Sequence, residues 1–125
     1  MLVPASTPVT LDHPARPGGV VVCRLAGEID IDDRSEVIEA FARATARATT
    51  AVVVDCRRLA FCDSTLLNAL LRLRRQATAA GLGMALADPG PQLLRLLEMT
   101  GAGGLLPVHP TLGSALDALG AGRTA

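Results

Sequence analysis

The chain has 125 residues, half of them apolar, which is enough for one core of ordinary size and too few for two, so one folded domain over residues 1–125 is expected. Its 12 positive side chains are all arginine and balance 12 acids to a net charge of zero, while Phe41 and Phe61 are the only phenylalanines and Tyr and Trp are absent. That composition offers no basic footprint for nucleic acid or an anionic membrane and no set of rings on which bases could stack.

Read in chain order, residues 4–13 show a loose alternation around Val9 and Leu11, followed by a turn through Pro14, Pro17, Gly18 and Gly19. A short edge strand is expected there. Val20 to Leu25 is β-branched and predicts a second strand, paired with the first as a hairpin and closed by Ala26 to Asp30, where Gly27 permits a bend or bulge. From Asp33 to Thr49 the period changes. Val37, Ile38, Phe41, Ala44, Thr45 and Ala48 recur at three-and-four spacing, with Glu36, Glu39, Arg43 and Arg47 on the other side. This predicts an amphipathic helix whose early acids and late arginines suit its dipole, and which Asp32 or Asp33 caps.

Ala51 to Asp55 is almost wholly apolar, as a central strand covered on both faces would be. After the polar knuckle Asp63-Ser64-Thr65, Leu66, Leu67, Leu70, Leu71, Leu73 and Ala77 form the apolar stripe of a second helix that Gly81 stops. Met84 to Ala87 reads as a strand, Gln92 to Thr100 as a helix opened near Pro91, Leu105 to His109 as a strand, and the segment after Pro110 as a helix through Leu119 that Thr111 caps. Residues 1–6 and 120–125 read as frayed ends. The pattern implies an α/β fold in which about four helices cover a mixed sheet of about five strands, with right-handed crossovers between parallel neighbours.

Several chemistries find no support in the spacing. No phosphate-loop or G-x-G-x-x-G signature is present, because Gly101 to Gly104 follow a helix rather than a strand. His13 and His109 are far apart and Cys23, Cys56 and Cys62 are dispersed, so no metal-ligand spacing and no cofactor is indicated. The cysteines, an odd number without a C-x-x-C, suit a reduced cytoplasmic setting. The first ten residues lack the pattern of a signal peptide, and Pro107, Pro110 and nearby glycines exclude a simple membrane span in the uncharged run from Met99 to Leu116. Ser64 lacks the G-x-S-x-G elbow of a hydrolase, so no enzyme is expected. What Ser64 does have is a place beside a helix N-terminus, where free N–H groups and the helix dipole favour phosphate. Residue chemistry leaves two roles open for the Asp63-Ser64 pair, helix cap or phosphorylation switch.

The D-S-T-L stretch after an apolar strand, with L-A-G-E-I-D at Leu25 to Asp30 upstream, resembles the STAS domain of the bacterial anti-sigma factor antagonists. G-L-G-M-A-L-A-D and P-Q-L-L-R-L-L-E-M-T-G-A, ending at Ala102, are similar to that family's fourth strand and third helix. The resemblance implies a small cytoplasmic protein that binds an anti-sigma factor serine kinase and so frees a sigma factor. It implies phosphorylation of Ser64, with Thr65 the less favoured hydroxyl, and reversal by a metal-dependent phosphatase of the PP2C type. The contact face it implies comprises Gly27, Glu28, Asp30, Asp63, Ser64, Thr65 and Leu66. The alternative is a non-phosphorylated STAS interaction subunit of a transporter or other regulatory assembly, in which Ser64 merely caps the helix. One departure stands out, since Leu66 occupies a place where the family usually has glycine; a leucine there either joins the core or obstructs docking.

Overall fold

The structure is a computed structural model that describes residues 9–12 and 19–119. Five strands form one sheet in the order β1 (Val9–Asp12), β2 (Val20–Ile29), β3 (Ala51–Cys62), β4 (Gly83–Ala87) and β5 (Val108–His109). β1 runs antiparallel to β2, and every other neighbouring pair is parallel. Four helices alternate with them, α1 (Arg34–Arg47), α2 (Ser64–Ala79), α3 (Pro91–Thr100) and α4 (Leu112–Leu119). The mixed α/β sheet and the hairpin at its edge are as expected. His13, most of the expected turn up to Gly19 and the ends at 1–6 and 120–125 lie outside the described residues.

The strand residues divide between two cores according to the pleat. Val21, Cys23, Val52, Val54 and Leu86 pack with Phe41 of α1, with Leu66, Leu70 and Leu73 of α2 and with Leu93 of α3. Val20, Ala51, Val53 and Ala87 point the other way, onto Ala115, Leu112, Leu116 and Leu119 of α4. β3 therefore has both faces covered, which is why its first half is a continuous apolar run. Burying each leucine or phenylalanine of the main core contributes about 1.5–3 kcal/mol relative to exposure. Ile38 and Leu71, expected inside, are only partly buried against that core, at the seam between α1 and α2.

Two strands run longer than the sequence suggests. β3 was expected to end at Asp55 but continues to Cys62, because past the Asp55–Ala87 pairing β4 has ended while β2 goes on pairing as far as Ile29–Cys62. With one neighbour gone the extension tolerates charge, and exposed Arg57 and Arg58 break the apolar pattern without breaking the strand. β2 likewise continues through Gly27, whose φ of +73° is left-handed, and its pairing with β3 shifts register on either side of that glycine. β5 is shorter than Leu105 to His109, since Ala102–Gly104 coil into a 3-10 turn before the chain reaches the sheet.

Candidate functional site

The knuckle lies where β3 hands over to α2. Asp63 is extended (φ −128°, ψ −164°), and its side chain accepts a hydrogen bond of 2.8 Å from the Thr65 N–H. The Leu66 N–H donates to the Asp63 carbonyl at 3.2 Å. Asp63 is thus the N-cap and Ser64 the first helical residue. The expectation that Ser64 could itself cap is corrected: it sits one residue inside the helix, exposed, and among the described residues its hydroxyl makes no hydrogen bond. Thr65 is half-buried behind it.

Leu66 resolves the departure noted in the sequence. Its side chain is 0% exposed and belongs to the main core, on the stripe of α2 that also carries Leu67, Leu70, Leu73 and Ala77. It does not obstruct the surface, nor does it present its side chain there, so its place in the expected contact set is withdrawn. Helical periodicity turns the third residue of α2 inward while the first stays outward.

The flanking segment comes alongside through the parallel register. Gly27 stands opposite Leu59, Glu28 opposite Phe61 and Ile29 opposite Cys62, so Asp30 leaves β2 next to the point where Asp63 leaves β3. Gly27 and Glu28 are exposed and Asp30 is half-buried. Capping here differs from the expectation for Asp32 or Asp33. Asp30 is the N-cap of a 3-10 turn over Ile31–Asp33; its side chain accepts from the Asp32 N–H at 3.0 Å, and Asp33 accepts from the Asp30 N–H at 3.0 Å. Asp33 then leads into α1 without a side-chain cap of its own. Three acids in close succession can all cap, and the extended backbone at Asp30 decides among them.

Sequence reasoning missed three residues around the knuckle. Ile31, within the acidic turn, is 67% exposed, and Phe61, opposite Glu28 in the sheet, is 44% exposed, so both present apolar surface near the knuckle. An isoleucine flanked by aspartates was the available signal for the first. Gln92, in the first turn of α3, accepts a hydrogen bond of 2.9 Å from the Cys62 N–H through its Oε1 and ties that helix to the end of β3. Beside the knuckle, Ser64 and Thr65 line a cavity of about 430 Å3 between α1 and α2, with Arg34, Arg72 and Arg75 on its walls. Among the described residues no histidine lines it, and His109 lies at the end of β5.

The three cysteines are free and buried. Burial pushes the Cys23 thiol up to about 12 against a slight lowering by Arg43. It raises Cys56 further, with Asp55 adding to the effect, and raises Cys62 together with the charge of Asp63. All three stay protonated at neutral pH and behave as small apolar groups. Asp55 is a buried acid of the sheet, engaged by Arg24 at 3.5 Å and by the Arg57 N–H at 3.1 Å. Among the described residues no group of three or more His, Cys, Asp or Glu could hold a metal ion, and no helix is long and apolar enough to cross a membrane.

Comparisons with known proteins agree with this geometry. A family profile described as "Mlab, STAS domain" matches residues 13–107. An anti-sigma F factor antagonist from Paenibacillus polymyxa is 31% identical over 105 residues, spanning 81% of this chain and 87% of that one. The solved anti-sigma factor antagonist from Mycobacterium paratuberculosis is 26% identical with a TM-score of 0.78, covering 95% of this chain and 98% of that one. The Bacillus cell fate determinant SpoIIAA, solved in its phosphorylated form, is 25% identical with a TM-score of 0.68, covering 88% and 97%. By sequence and by fold alike, the chain belongs to the STAS-domain family and is related to the anti-sigma factor antagonists.

Proposed function

We propose that the protein is an anti-sigma factor antagonist that acts by binding rather than by catalysis. It engages an anti-sigma factor serine kinase in the cytoplasm and so releases a sigma factor; phosphorylation of Ser64 ends the engagement, and a PP2C-type phosphatase restores it. The observation that carries this reading is the Ser64 hydroxyl, exposed and uncommitted at the start of α2 because Asp63 does the capping. A kinase can reach that hydroxyl without dismantling the helix end. Thr65, half-buried, is the second choice.

The contact face comprises Gly27, Glu28, Asp30, Asp63, Ser64 and Thr65, with Ile31 and Phe61 supplying its apolar component. A phosphate adds about 1.5–2 negative charges at pH 7. At a helix N-terminus the free protein tolerates it. Within a packed interface the same charge, desolvated and unpaired, costs several kcal/mol and ends binding.

Incubation with the cognate kinase and ATP, followed by intact mass measurement, is expected to add one phosphate to the wild type and none to Ser64→Ala. Labelling that persists in the alanine variant would overturn the assignment. The alternative, a non-phosphorylated interaction subunit of a transporter or other assembly, leaves the free hydroxyl without a task. A pull-down that recovers membrane transporter components and no kinase would replace the first reading by this one.

A further inference from the structure

The groove between α1 and α2 carries charge that a contact face centred on Asp30 and Asp63 does not use. Arg34, Arg72 and Arg75 line it with Ser64, Thr65 and Asn68, and none of its lining residues is acidic. Arg34 and Arg72 also line a neighbouring hollow of about 210 Å3, where Glu39 is the one acid. They therefore stand on the ridge between the two cavities. Among the described residues no carboxylate lies within ion-pair distance of Arg34, Arg72 or Arg75. Like charges gathered on two adjacent helices repel one another, and an anion entering between them relieves that repulsion.

Helix geometry directs the groove at Ser64. Ser64, Asn68 and Arg72 follow one another at four-residue spacing along one stripe of α2, which sets Arg72 about 12 Å along the axis from the serine. Helical side chains lean toward the N-terminus, and Arg72 lines the same cavity as Asn68 and Ser64. Arg34 opens α1 as Ser64 opens α2. The two arginines thus line the serine's cavity from different helices.

Resting on the reading of Ser64 as the phosphorylated residue, we propose that this groove is the receptor for the phosphate, held in cis by Arg34 and Arg72 with the Asn68 amide between them. Guanidinium groups present paired N–H donors that match phosphate oxygens. Modification then does two things at once. It places a charged group beside the contact face, and it neutralises the basic groove next to that face.

Phosphoserine installed at position 64 during translation gives the modified protein without any kinase, and its second ionisation can be followed by phosphorus NMR against pH. That ionisation, ordinarily near pH 6, is expected at least about half a unit lower in the otherwise wild-type phosphoprotein than in one carrying Arg34→Gln and Arg72→Gln. The helix N-terminus is common to both proteins and cancels. Arg75→Gln, a further turn along α2, is expected to give a smaller step. Identical titrations would overturn the clamp. Circular dichroism melts check the fold, and if the double variant does not fold, each single substitution is expected to raise the ionisation, absence of both steps being equally fatal. A kinase that ignores Ser64 would overturn the function proposed above and leave this result standing, whereas identical titrations would remove the clamp and leave the switch.

Discussion

α1 and α2 begin side by side, each after one of two paired parallel strands and each after an aspartate, yet their first turns are used in opposite ways. Before α1, Asp30 and Asp33 close a reciprocal pair of hydrogen bonds around a 3-10 turn, and the acids there are engaged with their own backbone. Before α2, Asp63 alone satisfies the Thr65 N–H, and Ser64 is left over. The third helical residue differs as well, being exposed Glu36 in α1 and fully buried Leu66 in α2. A hydroxyl stays uncommitted at a helix start when a neighbour caps in its place, as Asp63 does, and when an inward anchor, here Leu66, packs the same turn onto the core.

The anchor gives the largest expected effect. Leu66→Gly empties a core site and weakens the helix, at a cost of about 3–5 kcal/mol. Urea denaturation would show it as a lower midpoint, while Glu36→Gly in α1 would cost about 1 kcal/mol through propensity alone. Equal costs would erase the contrast between the two starts.

The strands feeding the two helices bring a pH dependence. Cys23 in β2 and Cys56 in β3 have folded ionisations raised above the ordinary thiol value of 9.0. The unfolded chain therefore loses these protons first as pH rises. Stability is fully present below the unfolded thiol range and falls above it, by about 1.4 kcal/mol per pH unit for each thiol once past that range. For Cys23 and Cys56 together, thermal melts at pH 8 and pH 10 are expected to differ by roughly 3 kcal/mol in stability, and a Cys56→Ala variant should lose about 1.4 kcal/mol of that difference.

The smallest effects separate cap from hydroxyl. Asp63→Ala is expected to cost about 1 kcal/mol. Ser64→Ala should change stability by no more than about 0.5 kcal/mol, since an exposed serine makes way for a better helix former. A Ser64→Ala cost as large as that of Asp63→Ala would make the serine part of the cap and close the α2 start as tightly as the α1 start.

The apolar runs that became β3, β4 and the stripe of α2 were legible because burial on one or two faces writes itself directly into Val52, Val53, Val54 and the leucines. The extension of β3 was not, because a strand with a neighbour on one side only accepts Arg57 and Arg58. Among the site residues, Asp63, Ser64 and the Gly27–Asp30 segment could be read from order and residue type. Ile31 had a signal in its flanking aspartates that went unread, and Phe61 had none, since exposure of an apolar side chain is decided by what the fold fails to place over it. The arginines of the groove were also out of reach, because Arg34 and Arg72 are 38 positions apart in the chain and meet only once α1 and α2 pack.

The hydrogen bond from the Cys62 N–H to Gln92 carries a last consequence. It bridges the residue just before the Asp63 cap to the opening of α3, whose outer side carries Leu94 and Met99 in the open. The last residue of β3 thus has its N–H satisfied by a side chain of another element, and the strand end that precedes the cap and the first turn of α3 are fastened to one another.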